Sequence, residues 1–223
     1  MDKKIAVLLP TLNEKVSIGR TIKEIQAYLP SAQIVVADSS ADGTAEIAAK
    51  LGALVIKVPK AGKGKAVQDV LPGLQLYEKI IMIDGDYTYP AKYLPRMIWM
   101  MDNGADVVVG NRTQFPREAM SHTNQAGNKI LSLLASILYF TWMPDVCSGM
   151  WGFQQTVIGK FHITSKGFTL EADLFVNAVR TNCRIMTLPI EYRARTDKSK
   201  LTVLDGVKIG LFLIRERFKF DKI

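Results

Sequence analysis

Apolar and polar positions alternate along this chain in two rhythms. Residues 5–9 form an unbroken apolar run closed by Pro10, and residues 34–37 form another that stops at Asp38. Runs of this kind suit parallel strands buried on both faces. Between them Val16, Ile18, Ile22, Ile25 and Leu29 recur at helical spacing, which predicts a β-α-β unit. The pattern repeats as a helix over 44–51 ended by Gly52, a strand over 54–58, a helix over 66–76 interrupted by Pro72 and Gly73, and a strand over 80–83 ending at Asp84. A helix over 95–103 and a strand over 106–109 follow. Strands alternating with helices imply an α/β fold with a mainly parallel, Rossmann-like sheet flanked by helices.

Beyond Gly110 the alternation weakens. A polar stretch over 111–128 precedes a long apolar helix over 130–143; the aromatic segment 150–153, a helix over 171–181, extended segments over 184–188 and 190–193, and an amphipathic helix over 204–220 complete the chain. No apolar run reaches the roughly 18 to 20 residues that span a bilayer. With 223 residues, 48% of them apolar, the chain suits one domain over 1–223, its first half, 1–110, building a nucleotide-type sheet and its second, 111–223, the less regular remainder.

Charge narrows the partners. Lys and Arg total 29 against 21 acidic residues, a formal +8, and between Arg193 and Ile223 nine basic residues stand against four acidic ones. Such a field favours anionic ligands and acidic membrane surfaces. Nucleic acid is not indicated, because aromatic and basic residues do not interleave along a strand. The two cysteines, Cys147 and Cys183, lie in no metal-binding spacing, and the N-terminus carries no signal-peptide pattern. A cytoplasmic protein with reduced thiols is expected.

In an open parallel sheet, ligands bind beyond the carboxyl ends of the strands. Glu14, Asp38, Asp42, Asp84 and Asp86 all fall there. Ile-Met-Ile-Asp-Gly-Asp at 81–86 delivers two carboxylates one residue apart, hard oxygen ligands that suit Mg²⁺ or Mn²⁺ on a diphosphate. An Asp-Gly turn is the simpler explanation of the same residues. Asp38 is placed to accept from a base or ribose, while Asp42 and Thr44 equally suit a helix cap. Gly62-Lys-Gly-Lys offers amides and ammonium groups to phosphate without matching a nucleoside-triphosphatase loop, and no dinucleotide or serine-hydrolase motif is present. Of the three tryptophans, Trp99 and Trp142 are expected in the core, and Trp151, beside Ser148 and Gly149, near a sugar.

Taken in order, Pro10-Thr-Leu-Asn-Glu14, Asp38-Ser-Ser-Ala-Asp-Gly-Thr44, Gly62-Lys-Gly-Lys-Ala66, Asp84-Gly-Asp86 with Pro90, Gly110-Asn-Arg112, Cys147-Ser-Gly149, Gly167-Phe-Thr-Leu-Glu171 and Arg195-Thr-Asp-Lys-Ser-Lys-Leu201 resemble glycosyltransferase family 2, nearest its dolichyl-phosphate mannose synthase and polyprenyl-phosphate glycosyltransferase branch. The likeness covers nearly the whole chain. It departs at Leu12, where many relatives have an aromatic residue, at Thr88, where many have Gln, and at Asn124, where many have Arg.

The resemblance implies a GT-A fold and an inverting, metal-dependent transfer of a sugar from a GDP- or UDP-linked donor to a polyprenyl (dolichyl) phosphate. It implies that Pro10, Leu12, Glu14, Val36 and Asp38 hold the base and ribose, joined on the donor by Asn13, Ser40, Lys63, Gly64 and Gly85. Asp84 and Asp86 are then the metal ligands, and Arg112, Arg195 and Lys200 neutralise phosphates. Ser148, Ser199 and Asn128 complete the acceptor-phosphate site, with Glu171 among the catalytic residues. Helices 130–143 and 204–220 are expected to meet lipid on the cytoplasmic face, unless they are ordinary core helices. Two other readings stay open: transfer to a sugar or protein hydroxyl with Glu171 or Asp173 as base, and a non-catalytic nucleotide-sugar binder. The sequence leaves oligomeric state open.

Overall fold

Seven runs of aliphatic and aromatic residues pair into one sheet. The computed structural model describes residues 4–195 and 202–220. Its strands are β1 (Ile5–Thr11), β2 (Gln33–Asp38), β3 (Leu54–Lys57), β4 (Lys79–Met82), β5 (Val107–Gln114), β6 (Trp151–Gln154) and β7 (Ile185–Glu191). They lie in the order β3-β2-β1-β4-β6-β5-β7, and β6 alone of these runs antiparallel to its neighbours β4 and β5. Successive side chains of a strand point to opposite faces, so each buried strand feeds two cores. Ala6, Leu8, Val35, Met82 and Phe153 join the core on one face, and Val7, Leu9, Val36, Ile81 and Val108 the core on the other.

The second core is closed by α1 (Ile18–Tyr28), α2 (Thr44–Lys50) and α4 (Leu94–Asp102) through Ile22, Ala48 and Met97. The first is closed by α3 (Lys63–Val70), α5 (His122–Tyr139), α7 (Leu170–Arg180) and α8 (Val203–Phe220) through Val67, Ala135, Phe175 and Leu213. A short α6 (Gln155–Ile158), not anticipated from the pattern, follows β6 directly.

Several boundaries differ from the sequence reading for identifiable reasons. The helix read as 130–143 begins eight residues earlier, at His122, where Ser121 Oγ accepts from Asn124 N at 3.2 Å. It ends before Phe140, whose φ of 51° is left-handed. The helix read as 66–76 starts at Lys63, and Pro72 and Gly73 fall in a separate 3₁₀ turn, Leu71–Leu74. Val16, counted on the buried face of α1, precedes the helix and is 63% exposed. The two extended segments around Pro189 are one strand, β7, at the edge of the sheet, where a missing N–H costs no ladder bond.

Helices α5 and α8 pack side by side, tied by Tyr139 Oη donating to Leu213 O at 2.9 Å and Arg217 Nε donating to Leu138 O at 2.8 Å. Each buries one face and exposes apolar residues on the other, among them Leu133, Ile137 and Phe140 on or just after α5 and Leu204, Leu211 and Phe218 on α8. Among the described residues no helix is long and apolar enough to cross a membrane.

Candidate active site

Strand order reverses direction at β1, with β2 and β3 on one side and β4 on the other. The crevice at such a switch point is where an open α/β sheet binds its ligands. Here the loops that leave β1 and β2 are sewn together. Asn13 N donates to Ser40 Oγ at 2.7 Å, Glu14 N to Thr44 Oγ1 at 3.0 Å, Lys15 N to Asp42 Oδ2 at 3.1 Å, and Ala41 N to Asn13 Oδ1 at 3.2 Å. Asp42 also accepts from Thr44 N at 3.1 Å, so its carboxylate serves the turn into α2.

A cavity of about 950 Å³ opens beside these loops. Its polar end is lined by Pro10, Leu12, Glu14, Lys63, Asp84, Gly85, Asp86, Arg112, Asn128, Glu171 and Arg195, all anticipated from the sequence. Cations already stand on its carboxylates. Lys63, the first residue of α3, reaches Asp84 Oδ1 and Glu171 Oε1, each at 2.5 Å, and Arg195 reaches Asp86 Oδ2 at 2.9 Å and Glu14 Oε1 at 2.7 Å. Burial works against the Lys63 charge, but Asp84 and Glu171 outweigh it and hold the ammonium well above its usual value. Burial, then the nearby Asp84 charge, pushes Asp86 upward despite Arg195 and the hydrogen bonds from Thr88. Burial likewise raises Glu171, with Lys63 offsetting part of it.

Arg112 is held from behind. Its Nε and Nη2 donate to Asp145 at 2.7 and 2.6 Å, its backbone N donates to the same carboxylate at 3.1 Å, and Asn128 Nδ2 adds a fourth bond at 2.9 Å. Asp145 was missed in the sequence, although it lies two residues before the Cys147-Ser-Gly149 motif. Tyr89 and Tyr192 were missed as well; they line the cavity, meet edge to face at 5.0 Å, and Tyr89 Oη accepts from Gly149 N at 2.6 Å. Gly149 is required by close approach, because a Cβ there would overlap the Asp84 carboxylate. Gly85 meets a similar limit, with Thr11 Cγ2 2.7 Å from where its Cβ would lie.

Other anticipated residues fall elsewhere. Val36 packs in the core on the α1 side, because strand alternation turns it away from the cavity. Ser148 is fully buried; its carbonyl accepts from Trp151 Nε1 at 2.6 Å and its Oγ from Met150 N at 3.3 Å. Trp151, expected beside a sugar, is 0% exposed and stacks on Phe153, whereas Trp99 and Trp142, expected in the core, are 49% and 73% exposed. Asp38 is enclosed by Thr11, Ser40 and Lys57 at 2.8, 2.6 and 2.8 Å, leaving Thr11 and Ser39 to line the cavity beside it. Asn13 and Ser40 brace that loop, and Gly64 packs so closely on the Ser165 carbonyl that a Cβ would overlap it. Asp173 accepts from Thr164 N and Ser165 N, both at 2.7 Å, and from Asn177 Nδ2 at 2.8 Å, a structural role away from the cavity. Ser199 and Lys200 lie outside the described residues.

Among the described residues no group of three or more His, Cys, Asp or Glu is arranged to hold a metal. Asp84 and Asp86 nevertheless fit a hard divalent ion, which keeps waters and needs only one or two carboxylates once phosphate oxygens complete its shell. Each of these carboxylates is paired with a basic side chain, Asp84 with Lys63 and Asp86 with Arg195, so a bound cation would share their oxygens with those two groups.

The far end is different in kind. There the polar first turns of α5, with Thr123, Asn124 and Gly127, give way to Ile130, Leu131, Val207 and Ile209 from α5 and α8.

Comparison with known proteins places this architecture. A family model described as Glycosyl transferase family 2 matches residues 6–161. The chain is 32% identical over 215 residues to a dolichyl-phosphate hexose transferase of Haloferax volcanii, covering 95% of this chain and 92% of that protein. It is 29% identical over 219 residues to glycosyltransferase AglJ of the same organism, covering 98% and 72%. Among solved structures, glucosyl-3-phosphoglycerate synthase of Mycobacterium tuberculosis, in complex with Mn²⁺, UDP and glucosyl-3-phosphoglycerate, superposes with a TM-score of 0.75 at 20% identity over 99% of this chain and 80% of that one. Mannosyl-3-phosphoglycerate synthase of Rubrobacter xylanophilus gives 0.73 at 18% identity, covering 96% and 72%.

Proposed function

This chain belongs to glycosyl transferase family 2, with the GT-A fold and glycosyltransferase activity of that family, and from that premise we propose that it moves a sugar from a nucleoside diphosphate to a polyprenyl phosphate with inversion. The observation that carries this reading is one cavity with two chemistries. Carboxylates and guanidinium groups line it at the strand ends, and apolar side chains of α5 and α8, among them Ile130, Leu131, Val207 and Ile209, line it as well. A phosphate headgroup with an isoprenoid tail has the same division. The dolichyl-phosphate hexose transferase named among the relatives supports the same acceptor class.

In this account residues 1–110 serve the donor and metal, and 111–223 the acceptor. The loops braced by Asn13, Ser40 and Asp38 hold base and ribose beside Pro10 and Leu12. Asp84 and Asp86 would hold Mg²⁺ or Mn²⁺, which supplies positive charge to the diphosphate when bound. An acceptor phosphate oxygen attacks the anomeric carbon, a carbon–oxygen bond forms there, and the bond to the nucleoside diphosphate breaks, leaving its electrons on the departing diphosphate. A phosphate monoester is already largely ionised at neutral pH, since its second pKa is about 6, so no side chain has to remove a proton. What remains for the chain is orientation and charge. Arg112, fixed by Asp145, and Arg195, whose Nε is buried without a partner among the described residues, are set to receive phosphate oxygens. Asn128 Oδ1 is likewise without a partner there.

The exposed apolar flanks of α5 and α8, with Lys208, Arg215 and Lys219 on α8, suit a peripheral position on the anionic cytoplasmic face of a membrane. A hydroxyl acceptor is less well served. Asp173 is tied up in backbone hydrogen bonds and Glu171 is paired with Lys63. The test is incubation with UDP- and GDP-linked sugars, Mn²⁺ or Mg²⁺ and a short polyprenyl phosphate. A glycosylated lipid phosphate that disappears with chelator or with Asp86→Ala is expected, and an inert mixture across the common donors would refute the proposal.

A further inference from the structure

The turn carrying Asp86 is strained at its next residue. Tyr87 has φ of 67°, a left-handed conformation that is costly for a bulky residue and persists only where its surroundings over-determine it. Glycine or asparagine would adopt the same backbone at less cost. At Tyr87 the side chain makes contacts that can offset this cost.

Asp86 Oδ1 accepts from Thr88 N at 3.1 Å and Thr88 Oγ1 at 2.6 Å, closing the turn across Tyr87 and leaving Oδ2 for Arg195 at 2.9 Å. The Tyr87 ring meets two guanidinium groups, Arg193 at 4.3 Å and Arg20 at 4.8 Å from its centroid. Arg193 is fixed in turn by Glu24 of α1 through two hydrogen bonds of 2.7 and 2.8 Å, and its backbone N donates to Thr88 O at 2.8 Å. Arg193 lies two residues before Arg195, so the ring ties the segment leaving β7 to the turn that presents Asp86. Tyr87, Arg193 and Glu24 do not line the cavity themselves.

We infer that Tyr87, held by Arg193 and Arg20 with Glu24 behind them, is a positioning residue that sets Asp86 and Arg195 in register across the diphosphate end of the cavity. This rests on the reading of Asp86 as a carboxylate for the metal and diphosphate. The ring transmits position from α1 and the β7 exit to the Asp86 turn without touching substrate.

The test compares Tyr87→Phe, Tyr87→Gly and Glu24→Gln in the full chain, by calorimetric titration with UDP and with GDP, each with and without Mn²⁺. Tyr87→Phe keeps the ring and should stay within about two-fold of wild type. Tyr87→Gly keeps the backbone conformation but lacks the ring, and should lose about ten-fold in the affinity gained on adding Mn²⁺, with metal-free affinity little changed. Glu24→Gln, which loosens Arg193 and serves if the glycine variant does not fold, should lose about three-fold in the same quantity. The inference is overturned by a folded Tyr87→Gly protein with wild-type Mn²⁺ dependence, by Tyr87→Phe falling as far as Tyr87→Gly, by a loss that is equal with and without Mn²⁺, or by an unaltered Glu24→Gln. A wild-type protein whose binding of both nucleotides ignores Mn²⁺ overturns the metal reading and this inference with it; failure of the variants alone leaves the metal reading standing.

Discussion

Replacing Asp145 with Ala should destabilise the fold well beyond a surface substitution. The carboxylate is 2% exposed and the Arg112 side chain 9%, and Asp145 accepts four hydrogen bonds, two of them from the guanidinium at 2.6 and 2.7 Å. Removing one partner of a buried ion pair leaves an uncompensated charge and costs about 3 to 5 kcal/mol. Arg112 borders a cavity that admits water, so the lower end, about 3 kcal/mol, is expected. For a domain of this size each kcal/mol moves Tm by about 2 to 4 °C, which gives a fall of about 6 to 12 °C by scanning calorimetry. The double variant Arg112→Met/Asp145→Leu should recover much of that loss, because two apolar groups need no charge partner, yet it should remain inactive for want of the phosphate contact. An Asp145→Ala protein that melts within about 2 °C of wild type, or a double variant less stable than the single one, would refute the claim that Asp145 is the counter-charge of Arg112.

Gly149→Ala should lower transfer by about a hundred-fold, since the new methyl displaces the Asp84 carboxylate from the site and from Lys63; unchanged turnover contradicts this. Burial alone would raise Asp38, but hydrogen bonds from Lys57, Ser40 and Thr11 hold it below the ordinary range of an aspartate. A depressed carboxyl stabilises the fold above its unfolded pKa and loses that contribution as pH falls through its folded value. The urea midpoints of wild type and Asp38→Asn should therefore converge as pH falls below about 3.8, and a gap that widens there counts against the assignment. Replacing the exposed Phe140 and Trp142, 88% and 73% accessible, with serine should release the protein from anionic vesicles in a flotation assay with its melting temperature unaltered. Equal flotation of the variant would place the lipid contact elsewhere.

The first half was legible because its strands are short and unbroken and most are buried on both faces, and because a carboxylate ends or follows three of them: Asp38, Asp84 and, in the next loop, Glu14. The second half was harder for reasons the structure explains. The first turns of α5 carry Thr123, Asn124 and Asn128 because they border the polar end of the cavity, and that requirement erases the apolar period by which a helix is recognised. Only the Ser121 cap marked its true start. Pro189 broke β7 in two on paper, although an edge strand tolerates it. Trp151 misled in the opposite sense: its neighbours Ser148 and Gly149 belong to the region around the site, but strand alternation in β6 turns its ring into the core. Asp145 and Tyr87 act on site residues through other side chains, and a role of that kind leaves no spacing signature in a single sequence.

On the proposed reading the acceptor arrives with its charge already in place and needs no base. A competition between a short polyprenyl phosphate and the matching polyprenol, with labelled donor and Mn²⁺, measures this directly. Label should pass only to the phosphate, and Glu171→Gln should retain the same preference. Comparable transfer to the free alcohol, lost on replacing Glu171, would contradict the account.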